Sequence, residues 1–423
     1  MRSHPLTKMN LLTAAIVVGV AVCPLYPEAA AADAPKKADA KPAAATAPQL
    51  DAATLETAQA AIQRGVNFLT DKQAEDGSWC GHPAITALAC VAIQEGRTTK
   101  NLEIKKESIA KGRKFILQFA QKDGSIWMAG NPREFPTYTT SIVLASLAIL
   151  NKPEDEAVMR AARKYLQSLH LDENNKLTPT KKDDPNYGGY GYGKEGKVHA
   201  DLSNTQWVLE ALFLTDYLDK EPKAQSPDDA KKADLAWQKA VVFMSRLQNV
   251  PESNDQVWVV KNKNDPSFGG FVYKPDDSKG KETVAQKESL RSYGSMTYAG
   301  LKSMIYAKLG KDDPRITAAI EWARKNYTLD ENPGLGTNGH FYYLQTFAKA
   351  CAVMGDETIT TPDGRKHQWR ADLVRKLVAL QKEKGEWANE NGRYMESIPD
   401  LVTAYSLIAM EAAVNPCLAA AAK

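Results

Sequence analysis

Apolar positions along this chain fall into two kinds of segment that alternate. In the first kind they recur every three or four residues. Ile62, Val66 and Leu69 share one face, while Arg64, Asn67 and Asp71 fall on the other. That period predicts an amphipathic helix with one buried stripe. The second kind is apolar on nearly every face, as in PAITALACVAI from Pro83, YTTSIVLASLAIL from Tyr138 and DLSNTQWVLEALFL from Asp201. Three more follow: GSMTYAGLKSMIYAKL from Gly294, HFYYLQTFAKACAVM from His340 and DLVTAYSLIAMEA from Asp400. These read as helices buried all round. Thr86, Thr139, Ser203 and Ser295 lie near their starts, where a hydroxyl can satisfy open N–H groups.

The amphipathic segments also repeat in sequence. RGVNFLTDKQAEDGSW begins at Arg64, KGRKFILQFAQKDGSIW at Lys111 and RKLVALQKEKGEW at Arg375. Weaker copies are ARKYLQSL from Ala162 and KAVVFMSRLQN from Lys239, followed by the Gly-aromatic clusters YGGYGYG at Tyr187 and FGGF at Phe268. A degenerate copy begins at Ile316. Each amphipathic segment precedes one apolar segment, which makes six pairs. No pair can bury its own apolar face, so neighbours must stack. The expected architecture is all-α: one (α/α)6 toroid over residues 53–415, with an inner apolar ring and an outer amphipathic ring. An open solenoid of the same pairs is the alternative. Closure is favoured because the inner segments show no solvated face.

The ends of the chain read differently. Arg2 and Lys8 precede an apolar run from Leu11 to Val22 and then small residues, the pattern of a secretory signal peptide over residues 1–32. The run is too short for a transmembrane helix of about 20 residues. Export to the periplasm or medium is the expectation. Residues 33–52, rich in Ala, Pro and Lys, read as a linker, and residues 416–423 as a tail. Beyond the leader stand Cys80, Cys90, Cys351 and Cys417. Two of them fall inside apolar helical runs, where a free buried thiol is the common case, so no disulfide framework is expected. The 423 residues carry a net charge of +3 and are 25% charged, which gives no electrostatic footprint for nucleic acid.

The frame of a basic residue, Gly, an apolar pair, Gln and then Gly-x-Trp resembles the QW repeat of squalene–hopene cyclases and related terpene cyclases. Arg64 to Trp79 fits it at nearly every position. Protein prenyltransferase β subunits and complement-like thioester domains share the ring. The resemblance implies the toroid, and it implies a structural role for Gln73, Trp79, Gln121 and Trp127; Trp387 falls at the same turn position. It does not extend to the chemistry. Cyclisation by protonation needs an Asp-x-Asp-Asp cluster, and the nearest stretch, Ile398 to Ala404, offers Asp400 alone. Prenyl transfer needs a zinc held partly by Asp-x-Cys, which does not occur. Cys80-Gly81-His82 with His340 or Asp400 supplies ligand types without the motif, so metal content stays open. A thioester needs Cys-Gly-Glu-Gln, but Cys80-Gly81 runs on into His82-Pro83.

In such a ring all connections from outer to inner helices lie at one end, the mouth, and bring the inner-helix N-termini together. His199, Asp201, His340 and Asp400 arrive there as candidates for acid–base chemistry. Tyr138, Tyr190, Tyr192, Trp207 and Tyr342 are candidates for an aromatic binding rim. Asp201 and Asp400 also suit plain helix caps. The expected ligand is a hydrophobic small molecule, isoprenoid by the resemblance, in a central apolar cavity and with no cofactor; protein partners are not indicated. A non-catalytic binding or scaffold ring, and a carbohydrate-active (α/α)6 enzyme, are the rival readings.

Overall fold

A computed structural model describes residues 50–96, 102–131, 134–193, 199–220, 223–224, 227–275 and 290–421. The leader over 1–32 and most of the linker over 33–52 lie outside the described residues. Six helix pairs follow one another: α1 (Ala52–Lys72) with α2 (Pro83–Glu95), α3 (Leu102–Leu117) with α4 (Pro136–Leu150), and α5 (Glu156–Ser168) with α6 (Leu202–Leu214). Then come α7 (Pro227–Arg246) with α8 (Gly294–Tyr306), α9 (Pro314–Lys325) with α10 (His340–Met354), and α11 (Trp369–Leu380) with α12 (Pro399–Ala421). The even-numbered helices pack each on the next, and α12 packs back on α2. The inner ring is therefore closed, and the odd-numbered helices wrap it. This is the (α/α)6 toroid that the alternation predicts. A short antiparallel hairpin, β1 (Thr358–Thr360) with β2 (Lys366–Gln368), joins α10 to α11.

The repeated residues stitch unit to unit. Trp79 is fully buried, and its indole N–H donates to Leu69 O at the end of its own outer helix (2.8 Å). Gln73 reaches across to the next outer helix, where its amide donates to Ser108 O (2.8 Å) and to Gly77 O (2.9 Å). The sixth unit repeats this onto the first. Trp387 donates to Leu377 O, and Gln381 donates to Ala61 O (2.9 Å) and Gly385 O. The Gln thus links consecutive outer helices, and in the last unit it closes the circle. A backbone N–H at the Trp position also donates to a threonine one turn into the next inner helix. Trp79 pairs with Thr86, Tyr190 with Thr205, Phe271 with Thr297 and Trp387 with Thr403, each at 3.0 Å.

A glycine in the same turn fixes how close the outer helices come. Gly188, at φ +85°, faces the Lys239 carbonyl so closely that an added Cβ would lie 1.9 Å from that oxygen. Gly385, at φ +91°, meets Arg64 O in the same way, with 2.5 Å for a Cβ. Only glycine combines this backbone conformation with this approach.

The second unit corrects the sequence register. Ile126, not Trp127, occupies the buried slot and donates its N–H to Thr140 Oγ1 (2.8 Å). The one extra residue in DGSIW, against DGSW, pushes Trp127 out to a half-buried position. In the third unit the Gln is replaced by His170, whose Nε2 lies 2.9 Å from Gly188 O.

Helix α12 runs on through Pro416 to Ala421, into the segment read as a tail. Proline has no N–H for the carbonyl four residues back. That carbonyl, Ala412 O, instead accepts from the Arg370 guanidinium (3.0 Å), which Glu357 holds in place (2.7 Å). Although α12 has the length and apolarity of a membrane span, 89% of that stretch is buried in the ring, as a core helix should be. The four cysteines described are free, and only Cys80 is exposed.

Candidate functional site

The mouth is built from first turns of inner helices. Asp201 stands at the N-cap of α6 and accepts from the Asn204 backbone N–H and from its amide, both at 2.8 Å. It is buried and serves as a cap. Two residues on, Ser203 turns toward the ring axis between two phenols, Tyr138 of α4 and Tyr342 of α10, each 3.4 Å from its hydroxyl. The Trp207 indole N–H donates to Tyr138 OH (3.0 Å), and the Gln206 amide donates to Tyr342 OH (3.1 Å). Tyr138 and Tyr342 are half-buried, so these groups form a floor that still meets solvent. Above it, Tyr192 OH pairs with Tyr273 OH at 2.8 Å, and both lie within electrostatic reach of Asp201.

The other candidates are placed apart from that floor. His340 opens α10 but is buried, with Nε2 2.9 Å from Leu329 O, and burial pushes its pKa down. A neutral, tethered imidazole is a strut and not an acid. His199 is exposed before α6. Tyr190 lies inside the wall, stacked on His170 with ring centroids 4.8 Å apart, and is not part of the rim. Asp400 accepts from the Cys80 thiol (3.1 Å). Although Cys80 is exposed as a residue, partial desolvation of its sulfur, and then Asp400, pushes the thiol up to about 12 and keeps it protonated at neutral pH. His82 spends both ring nitrogens, Nδ1 accepting from the Ala84 N–H and Nε2 lying 2.6 Å from Glu134. Among the described residues no group of three or more His, Cys, Asp or Glu is arranged to hold a metal ion.

Beneath the floor the axis differs from the expected apolar chamber. Ser203, Gln206 and Glu210 follow one stripe of α6, and Tyr342 and Lys349 face them from α10. Lys302 of α8 donates to Gln206 Oε1 (2.8 Å) and to Glu210, and Lys349 donates to the other Glu210 oxygen (2.5 Å). Both ammonium groups also lie over Trp207, at 5.1 Å for Lys349 and 5.9 Å for Lys302. Burial alone would raise the Glu210 carboxyl, but the two lysines outweigh it and hold it at about 2. Burial pulls Lys302 down to about 8 in spite of Glu210. Glu210 is therefore ionised and Lys302 protonated at neutral pH. Below this column, toward the C-terminal ends of the inner helices, is a void lined by Val91, Ile149, Leu214 and Ile408 with Glu95, Glu210, Lys349 and Glu411. It has room for about one water molecule.

Sequence reasoning missed this column, although a signal was present. Five of the six inner helices carry a charged residue within an apolar run: Glu95, Glu210, Lys302, Lys349 and Glu411. Charges are rarely buried unless they pair.

No protein-family model matches the chain, and no curated protein matches it. Solved structures do. The type II terpene cyclase MstE from Scytonema, in complex with geranylgeranyl dihydroxybenzoate, aligns over 87% of this chain and 100% of its own, with 13% identity and a TM-score of 0.52. The apo form of a variant of the same cyclase aligns over the same shares at a TM-score of 0.51. An α-1,6-mannanase, GH76A of Salegentibacter, aligns over 86% of this chain and 99% of its own, with 11% identity and a TM-score of 0.49. At 13% identity the likeness to the cyclase defines the fold, an α/α toroid, and nothing about the reaction.

Proposed function

We propose that this protein is a ligand-binding α/α toroid that holds an amphiphilic small molecule at its aromatic mouth. The ligand class is an apolar body of isoprenoid kind that carries a hydroxyl or carbonyl group. One observation carries the reading: Tyr138, Ser203 and Tyr342 converge on the axis, each only partly buried, directly above a charged column. The phenol rings offer apolar faces, and their hydroxyls offer donors and acceptors for one polar head. The molecules bound by the cyclase neighbours, a geranylgeranyl substrate and a merosterolic acid product, support the ligand class by analogy of fold.

Binding is favoured over cyclisation by what occupies the interior. Proton-initiated cyclisation needs a protonated acid facing an apolar chamber. Glu210 is instead held ionised between two lysines, and Asp201 is engaged as a cap. Export of the protein is part of this proposal and rests on the apolar run from Leu11 to Val22.

Calorimetric titration of the purified chain with geranylgeraniol, squalane and mannotriose tests the reading. The alcohol should bind and be recovered chemically unchanged, whereas the hydrocarbon without a polar head should bind at least about tenfold more weakly. Binding of mannotriose in place of the alcohol would overturn the proposal, and so would conversion of the alcohol to a cyclic product.

A further inference from the structure

Five described residues other than glycine have positive φ, and two of them are consecutive: Tyr394 (φ 60°) and Met395 (φ 66°). Side chains at these angles crowd the backbone, so such residues persist only where surrounding structure over-determines them. Here the holding group is Glu396, which is fully buried. Its carboxylate accepts from the Tyr342 backbone N–H (2.8 Å) and from the Asn389 amide (2.7 Å). Asn389 in turn donates to Thr337 O, and Asn391 donates to Asn338 Oδ1 (2.9 Å). The turn is thus pinned to the start of α10, beside the very tyrosine that forms the floor of the mouth.

The strained conformation turns two large side chains outward. Tyr394 is 41% exposed and Met395 49% exposed, among the few large apolar groups open to solvent. The Tyr394 ring lies against Gly339, where even an added Cβ would come within 3.3 Å of it, and the Arg393 guanidinium lies over its face at 5.2 Å. Tyr394 also lies within electrostatic reach of Tyr192. Tyr394 comes from the sixth unit and Tyr192 from the third, on opposite sides of the ring, so the turn leans over the mouth.

We infer that the turn from Gly392 to Met395 is a lip that grips the apolar body of the mouth ligand, with Tyr394 and Met395 as specificity-determining residues. This rests on the mouth being a binding site for an amphiphile. The floor hydroxyls take the polar head, and the lip meets the chain as it leaves the mouth. Longer chains gain contact with Tyr394 and Met395, whereas a short chain ends before it reaches them. The backbone strain keeps both side chains presented when no ligand is bound, which reduces the ordering cost of binding.

Titration of the full chain and its Tyr394→Gly and Met395→Gly variants with geraniol, farnesol and geranylgeraniol tests this, with melting temperatures measured alongside. Glycine accepts positive φ, so neither variant should melt lower than the wild type. Tyr394→Gly should weaken geranylgeraniol by about tenfold or more and leave geraniol within about twofold. Met395→Gly should show the same order with a smaller gap. An equal loss for all three alcohols, or a marked fall in melting temperature, would make the turn a structural element and overturn the lip. Unchanged affinities in both variants would overturn it as well. Failure of the wild type to bind any of the alcohols would instead sink the mouth as the binding site.

Discussion

The connections between helices and the axis of the ring are built on opposite principles. At the connections one small set of interactions is used over and over: a backbone N–H on threonine, an amide on the next outer helix, a glycine against its carbonyl. Along the axis nothing repeats. Ser203, Gln206 and Glu210 come from one helix, Lys302 from the next and Lys349 from the one after. Repeated parts answer a demand that every unit shares, namely docking on its neighbour. Parts that occur once answer a demand of the whole ring. The connections are therefore where docking of unit on unit is set, and the axis and mouth are where the units differ from one another.

The largest effect expected from breaking that division is at Gly188. An alanine there needs a left-handed backbone and puts its Cβ 1.9 Å from Lys239 O, a backbone atom that cannot swing aside. Gly188→Ala should cost about 4 kcal/mol or more and largely prevent folding, as measured by urea unfolding. Gly130→Ala is the control. It shares the positive φ but meets nothing within 4 Å, so it should cost only about 1 kcal/mol.

On the axis, Glu210→Gln should cost about 3–5 kcal/mol by leaving two buried ammonium groups without a carboxylate. The pH dependence identifies the source. Because Glu210 is held at about 2 when folded, its contribution is complete above the unfolded carboxyl value of about 4.3 and lost as pH falls toward 2. The stability gap between wild type and Glu210→Gln should therefore close across that window. Lys302 acts in the same sense in a higher pH window. Its folded value of about 8 lies below the unfolded value of about 10.4, so its share of stability rises with pH between the two. A gap that stays constant down to pH 2 would show that the column is not ionised.

Trp79 and Trp127 separate what is repeated from what only looks so. Trp79→Ala empties a fully buried slot and breaks the bond to Leu69 O, and should cost about 3–5 kcal/mol in urea unfolding. Trp127→Ala removes a half-buried ring outside the slot and should cost about 1 kcal/mol. Equal costs would restore the register that the sequence suggests.

That contrast also marks how far the sequence could be read. Periodicity gave the number, order and layering of the helices, because burial on one face or on all faces leaves a trace in every turn. The Gln and Trp positions were legible where spacing was regular and misleading where one residue was inserted, since a slot is defined by geometry and not by residue type. Ile126, Tyr190 and Phe271 fill it as well as Trp does. The mouth was legible only as a set of helix starts. Which residues face the axis depends on the rotation of each inner helix, and an all-apolar pattern does not encode that. So Tyr190 was grouped with the rim, and Glu210, Lys302 and Lys349 passed as ordinary residues of buried helices.

The smallest effect belongs to the threonines, and it bears most directly on the repeat as a physical unit. In unit six, Thr403 Oγ1 accepts from the Trp387 N–H at 3.0 Å, and both residues are fully buried. Valine has nearly the same shape and no acceptor, so Thr403→Val leaves one buried N–H unpaired. It should cost about 1–2 kcal/mol in urea unfolding. Thr86, Thr140, Thr205 and Thr297 accept in the same way in units one, two, three and four, so the same change there should cost the same within a few tenths of a kcal/mol. Thr346, deep in α10, is the contrast. Its hydroxyl donates only to Tyr342 O of its own helix, an oxygen that loses little when that donor goes, and Thr346→Val should be close to neutral. If these five connection threonines differed from one another as much as they differ from Thr346, the shared bond would be a coincidence of packing and not the device that docks each unit on the next.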